Sequence, residues 1–321
     1  MNYQEKLGSL LTNKLLVKGN LLLLSKKSKH NNQEQTNAVF GEKWIVYDNT
    51  VKNPKYEKLA QKWYLALYGF DNEKQLAKFL RTKKVILDAG CGLGDKTAWF
   101  ARLAPNSLVI GMDFSDAVDR AAQNHKKLKN LFFLKGDISN THLKKASIDY
   151  VNCDQVIHHT ENPPKTFAHL CSILKPGGEF ACYVYAKKAL PRELIDDYFR
   201  EFSKKCTKEE LWELAKGVTE LGKRLSNLKV KFVAPDIPLL GIKGGEYDIQ
   251  RFIYWNFLKC YWNQELGLGD SLDTNFDWYA PSNAFRYSEN EFRKMIGDNN
   301  LRILYFHKEE ACYSGRFKKK K

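Results

Sequence analysis

The chain has 321 residues, 43% hydrophobic and 28% charged, values that exclude wholesale disorder, collagen-like repeats and coiled coil. Its 52 basic and 37 acidic residues leave a net charge of +15, which invites nucleic acid, phosphorylated or carboxylated small molecules, or an anionic membrane surface without choosing among them. No window reaches the roughly 18 apolar residues of a membrane span, and the best stretch, Leu10 to Leu24, is interrupted by Asn13, Lys14, Lys18, Gly19 and Asn20, which also leaves no signal-peptide apolar region.

In chain order, residues 1–80 read as an N-terminal arm and helical cap. The Leu-rich start suggests a short hairpin around Lys18-Gly19-Asn20, and the polar run Ser25 to Asn37 reads as a mobile arm or linker. From Lys55 to Leu80 the pattern is helical, two helices broken near Gly69, the second capped by Asp71 or Asn72. At Lys84 short apolar runs begin to alternate with helical stretches. Strands are expected at Val85 to Leu87, Ser107 to Met112, Leu131 to Leu134, Ile148 to Cys153 and Glu179 to Tyr185, with helices at Asp95 to Leu103, Asp116 to Leu128 and Pro163 to Leu174. That alternation implies a parallel sheet covered on both faces, wound by right-handed crossovers into a Rossmann-like α/β domain over 81–187. Residues 188–280 break the rhythm with long helical patterns (Pro191 to Phe202, Lys208 to Leu225, Tyr247 to Trp262) and no clear strand, so they read as a helical insertion. Residues 281–321 return to the sheet, with a helix at Glu289 to Ile296 and strands at Leu301 to Phe306 and Cys312 to Phe317. The seven cysteines are odd in number, scattered and without a CxxC pair, which fits a reducing cytoplasm and gives no metal-site spacing.

The chemistry concentrates in Val85-Ile86-Leu87-Asp88-Ala89-Gly90-Cys91-Gly92-Leu93-Gly94-Asp95, a buried strand running through an acid into glycines that open a helix. Glycine serves where the backbone turns sharply and where a ligand must approach main-chain atoms. The third glycine follows the second by two residues, so the dinucleotide GxGxxG register is absent, and Asp88 would repel a diphosphate while suiting an ammonium group. A ligand with a cationic amino-acid part and an adenosine part fits better than a nicotinamide dinucleotide, and S-adenosylmethionine is such a ligand. Asp113 ends the second of the alternating strands, where it can accept from both ribose hydroxyls, with Phe114 beside it for the adenine. Asp137 follows the third strand and can accept from the adenine amino group, with Ile138 as its apolar neighbour.

With these residues in place, the segment from about Lys84 to Tyr185 resembles the class I S-adenosylmethionine-dependent methyltransferases of the small-molecule type. It carries Leu87-Asp88-Ala89-Gly90-Cys91-Gly92-Leu93-Gly94, the acids Asp113 and Asp137, and the Leu174-Lys175-Pro176-Gly177-Gly178 turn. The resemblance implies a doubly wound seven-stranded sheet whose last strand is antiparallel, with the helical cap before it and the helical insertion after its fifth strand. It also implies cofactor contacts at Asp88, Gly90, Cys91, Gly92, Gly94, Asp113, Phe114, Asp137 and Ile138, and at Asp154 and Gln155 after the fourth strand. Upstream, Phe40-Gly41-Glu42-Lys43-Trp44 looks like the FGxxW segment of some bacterial small-molecule methyltransferases, with Trp44 and Tyr47 either closing over the cofactor or packing the cap.

On the acceptor side, methyl transfer is an in-line displacement, so the enzyme has chiefly to position and desolvate the nucleophile. A hydroxyl or ammonium acceptor also needs a base. His158 and His159 are the candidates, His158 preferred because the family often carries a histidine just after this strand. Asn162-Pro163-Pro164-Lys165 is a helix cap rather than a base-methylating signature. The insertion is expected to carry acceptor specificity through Trp255 and Tyr279, with Arg251 and Arg286 as anchors for an anionic molecule. O-methylation of a small or mid-sized molecule is the leading expectation. RNA as acceptor and a non-catalytic cofactor-binding protein are the alternatives. Eleven of the fifteen net positive charges lie in residues 1–80 and 316–321, outside the cofactor segment, where solubility or a weak attraction for an anionic acceptor accounts for them.

Overall fold

The structure is a computed structural model that describes residues 2–12, 19–24, 31–47 and 54–321, with backbone alone at 45–47 and 54–56. It forms two compact units, Met1–Tyr185 with Phe285–Lys321, and Ala186–Ala284. The first unit opens with α1 (Tyr3–Leu10), β1 (Leu21–Leu23), α2 (Asn31–Tyr47), α3 (Pro54–Leu67) and α4 (Glu73–Arg81). The alternating core follows as β2 (Val85–Ala89), α5 (Asp95–Leu103), β3 (Leu108–Asp113), α6 (Ala117–Asn124), β4 (Leu131–Lys135), β5 (Ile148–Cys153), α7 (Pro163–Ile173) and β6 (Leu174–Ala186). The sheet order is β1-β4-β3-β2-β5-β6 and then two strands from the C-terminal segment, β11 and β10.

The parallel strands β2 to β5 are nearly continuous apolar runs, as a sheet buried on both faces requires. One face is covered by Leu7 of α1, Phe167 and Leu170 of α7, and Phe292. The other is covered by Tyr64 and Leu67 of α3, Leu76 and Leu80 of α4, and Ala98 and Phe100 of α5. Seven strands make up the expected Rossmann-like core. Two short additions extend it: β1 pairs in parallel with β4, and a two-residue strand, Arg286–Tyr287, pairs with β6. Asn72 is the residue that caps α4, accepting from the Gln75 amide at 3.0 Å.

One N-terminal expectation is corrected. The run read as a mobile arm is helical from Asn31 onward, while Ser25 to His30 lie outside the described residues. The hairpin around Lys18-Gly19-Asn20 lies partly outside the described residues, and Leu21–Leu23 pair with Phe133–Lys135.

The second unit holds α8 (Leu190–Ser203), α9 (Lys208–Asn227), β7 (Lys231–Ala234), β8 (Gly245–Asp248), α10 (Ile249–Asn256) and α11 (Gly267–Tyr279). It contains strands after all, since β7 and β8 form an antiparallel ribbon. The helix expected from Tyr247 to Trp262 ends at Asn256, and the Cys260 carbonyl then accepts from Gln250 Nε2 at 2.7 Å. The interior of this unit carries a buried polar network beside apolar residues such as Leu211 and Phe276. Arg192 pairs with Asp196 at 2.8 Å, Trp278 Nε1 donates to the other Asp196 oxygen at 2.9 Å, and Arg200 donates to the carbonyls of Trp278 and Pro281 at 2.6 Å each.

The first unit closes with β9 (Arg286–Tyr287), α12 (Glu289–Asp298), β10 (Leu301–Lys308) and β11 (Cys312–Lys319). β11 runs antiparallel to both β6 and β10, as the resemblance implied for the last strand. Among the described residues no helix is long and apolar enough to cross a membrane.

Candidate functional site

Loops at the C-terminal ends of β2 to β5 face the inner side of α2 across a cleft of about 670 Å³, its open mouth included. The floor is the turn after β2. Gly90, Gly92 and Gly94 have φ of +87°, +52° and +78°, a region that other residues enter at a cost. A Cβ on Gly90 would stand 2.3 Å from the Val156 side chain, and one on Gly92 would stand 2.9 Å from the Trp44 indole. Both positions therefore need glycine for space as well as for φ. The turn is tied to β3 by the Gly90 and Cys91 amides, which donate to the Met112 carbonyl at 2.7 and 3.0 Å.

Asp113 joins the loops. One carboxylate oxygen accepts from the Gly92 amide at 2.8 Å and the other from the Ser115 amide and hydroxyl at 2.9 and 2.7 Å. Lone pairs remain on a carboxylate with three donors. Phe114 lines the cleft beside it, and Asp137 and Ile138 line it from the loop after β4. Asp137 also caps a short helical turn, accepting from the Ser139 amide at 2.7 Å. An open glycine floor, a carboxylate at the end of β3, an aromatic next to it and a second acid after β4 together fit an adenosine-bearing ligand.

Several expected contacts are placed elsewhere. Asp88 is 2% exposed and faces away from the cleft, its oxygens accepting from Thr97 Oγ1 at 2.6 Å and Asn152 Nδ2 at 2.7 Å. Burial pushes its carboxyl upward, against the pull of the Lys96 charge and these two hydrogen bonds. These contacts brace the turn beneath the glycines. The network continues through Asn152, whose Oδ1 accepts from the Tyr64 hydroxyl at 3.0 Å, and that hydroxyl lies 2.8 Å from Tyr150 Oη. Asp154 is likewise buried, bonded to the Tyr68 hydroxyl at 2.7 Å and paired with Lys96. Cys91 and Gly94 contribute no cleft wall. Burial and the nearby acids raise the Cys91 thiol well above its ordinary value, leaving it neutral. Gln155 does line the cleft, at a left-handed φ of +64°.

The two histidines part company. His159 and Thr160 line the cleft, and the Phe40 ring meets His159 edge-on with centroids 4.8 Å apart. His158 is fully buried against Tyr185, centroids 3.8 Å apart. The preference for His158 as base is thus corrected on access. Burial, helped by His159, holds His158 well below the usual imidazole value, so it stays neutral when folded. Above about pH 6.5 it is neutral folded or unfolded. As pH falls through that value only the unfolded chain gains the proton, so this residue lowers stability progressively in acid. Replacing His158 by Phe should remove that acid-dependent loss. Urea unfolding of both proteins at pH 7.5 and 5.5 checks this, and equal pH slopes would refute it.

Of the residues assigned to acceptor binding, Trp255, Arg251 and Tyr279 belong to the second unit and are engaged within it. Tyr279 is 3% exposed and its hydroxyl donates to the Lys259 carbonyl at 2.9 Å, which makes it part of that unit's interior rather than a pocket wall. Arg251 lies over the Tyr254 and Tyr261 rings, and Trp255 meets Tyr254 edge-on. Burial pushes the Lys259 ammonium down to about 7, with the Arg192 charge adding to the shift. Arg286 is half-buried in β9 of the first unit. Away from the cleft, at the β10–β11 turn, His307 Nε2 and Cys312 Sγ lie 3.4 and 3.3 Å from the two Glu309 oxygens, each with a protein partner.

Of the opposite wall, the sequence points to the Phe40–Trp44 segment but not to Gln33, Thr36 and Asn37. Gln33, Thr36, Asn37, Phe40 and Trp44 recur at helical spacing along α2 and line the cleft together. Trp44 lies against Gly92, while the side chain of Tyr47 is outside the described residues. The signal was the spacing itself, hidden because that face is mostly polar and leaves no apolar periodicity.

A family model described as a methyltransferase domain matches residues 80–243, just over half of the chain. The chain is 34% identical over 101 residues to the trans-aconitate 2-methyltransferase of Deinococcus radiodurans, covering 32% of this chain and 38% of that protein. It is 32% identical over 107 residues to the demethylmenaquinone methyltransferase of Symbiobacterium thermophilum, covering 32% and 43%. The first curated relatives are matched over only 25% to 42% of their own length. Among solved structures, the 1,6-didemethyltoxoflavin-N1-methyltransferase of Burkholderia thailandensis, described with bound S-adenosylhomocysteine, is similar over 92% of this chain and 93% of its own, at 11% identity and a TM-score of 0.45.

Proposed function

Because the chain belongs to the class I S-adenosylmethionine-dependent methyltransferases, we propose that it methylates an oxygen atom of a small or mid-sized molecule in the cleft beneath α2. The observation that carries this reading is the sharing of one cleft by the Gly90–Gly92 floor, Asp113 and His159. Gly90 and Gly92 would leave room for the cofactor's amino-acid arm, Asp113 would take the ribose hydroxyls, and Asp137 with Ile138 would hold the adenine. When bound, S-adenosylmethionine supplies an electrophilic methyl group: an acceptor oxygen lone pair forms the new C–O bond while the C–S pair returns to sulfur, leaving S-adenosylhomocysteine. His159 would take the proton that the acceptor hydroxyl loses, and Phe40, packed edge-on to its ring, would hold it in place and exclude water. Neither lysine nor arginine lines the cleft among the described residues, so the cleft itself gives an anionic acceptor no counter-charge.

Calorimetric titration with S-adenosylhomocysteine tests the cofactor half of this reading. Its release from S-adenosylmethionine on adding a low-molecular-weight cell extract, against total RNA, tests the acceptor half. Saturable binding and release with the extract are expected; no binding, or release with RNA alone, would overturn the reading.

A further inference from the structure

We infer that the N-terminal half of α2 is an acceptor-recognition wall, at which the Asn37 side-chain amide reads an oxygen of an uncharged acceptor. The inference rests on the methyltransferase reading and names the substrate class of that same cleft. Asn37 Oδ1 accepts from Gln33 Nε2 at 2.9 Å, which orients the pair, yet the Asn37 Nδ2 group is buried without a hydrogen-bond partner. A buried donor left unmatched is rare in a folded chain, and one on the wall of a cleft matches an acceptor atom that a ligand brings.

The placement of α2 says which ligand. Its later residues lie over the cofactor elements: a Cβ on Gly41 would meet Ser115 at 3.7 Å, and Trp44 covers Gly92. Its earlier residues Gln33, Thr36 and Asn37 line the same cleft as His159 and Thr160. Asn37 stands one helical turn before Phe40, the residue whose ring packs on His159. The orphan donor therefore lines the cleft one helical turn from the residue that packs on the candidate base.

Charge narrows the class further. Asp113 and Asp137 are the acidic residues of the lining, no lysine or arginine joins them among the described residues, and the rest of the polar wall is amide, hydroxyl and imidazole. Such a wall suits a neutral molecule with a carbonyl or ether oxygen for Asn37 and a hydroxyl near His159. It disfavours a carboxylate or phosphate, whose charge would be desolvated without a partner.

Full-length protein loaded with S-adenosylhomocysteine is titrated with 4-hydroxyacetophenone, which is neutral, and with 4-hydroxybenzoate, its anionic counterpart, using ligand-observed NMR. The wild type should bind the neutral probe more tightly. Replacing Asn37 by Asp keeps the shape and removes the donor, and replacing it by Leu removes both polar atoms. Each variant should weaken the neutral probe about tenfold, the usual effect of losing one buried hydrogen bond, while S-adenosylhomocysteine affinity stays within about twofold. That second measurement also reports that the variants are folded. Unchanged probe binding, an equal loss of S-adenosylhomocysteine affinity, tighter binding of the anionic probe, or no binding of either probe would each overturn the inference. Failure of the wild type to bind S-adenosylhomocysteine in the loading step is the failure of the methyltransferase reading, and is read separately.

Discussion

Replacing Asp113 by Ala should raise the dissociation constant for S-adenosylhomocysteine by about two orders of magnitude or more. Two hydrogen bonds from ribose hydroxyls to a carboxylate contribute roughly 1.5–3 kcal/mol each, and a loss of about 3 kcal/mol already exceeds a factor of 100. The same substitution also strands the Gly92 and Ser115 donors that this carboxylate holds at 2.7–2.9 Å, so the floor of the cleft loses its tie to the next loop. Replacing Asp113 by Asn separates these effects only in part. Its amide keeps one acceptor oxygen but presents N–H groups either to Gly92 or to Ser115, so an intermediate loss is expected. Isothermal titration of the three proteins measures the series, and an Ala variant within threefold of wild type would remove Asp113 from the ligand site.

What the sequence made legible was the sheet and the order of its parts. Strands such as Ile148–Cys153 are short apolar runs bounded by turn residues, and the alternation of such runs with amphipathic stretches leaves few topologies open. Direction within a strand was harder. Asp88 and Asp113 both stand at strand ends, yet Asp88 shares the face of Ile86, two residues earlier, which packs with Ala98 of α5, and its carboxylate meets Thr97 of that helix. The period of two along a strand carries this information, but a motif-based reading had fixed on the acid and not on its parity. Asp154 escaped for a different reason. Its partners Tyr68 and Lys96 come from the turn after α3 and from α5, distant in the chain, and nothing local announces them.

The first turns of the wall formed by α2 were illegible because they present Gln33, Thr36 and Asn37, residues that by composition read as linker. A helix whose buried stripe faces a cleft rather than a core has no need of apolar periodicity. In the second unit the error ran the other way. Aromatic density from Tyr247 to Trp262 suggested one continuous helix, but Asp248 caps α10 by accepting from the Gln250 amide at 2.9 Å, and the aromatics before and after belong to a strand and to a return loop.

Replacing His159 by Gln should lower kcat by about two to four orders of magnitude, the range for removing a positioned general base, while S-adenosylhomocysteine affinity is little changed. Gln keeps a hydrogen-bonding side chain of similar reach and cannot take up the proton, so a loss confined to kcat separates proton transfer from packing against Phe40. The pH profile is the sharper readout. A base imposes a limb in acid where log kcat rises one unit per pH unit, and the Gln variant should run flat through the same interval. His158 supplies the control, because its ring has no access to the cleft and packs on Tyr185. Replacing it by Phe should leave the acid limb in place, whereas a limb that disappears with His158 and survives without His159 would move the base back to the buried ring and require the loop after β5 to open during turnover.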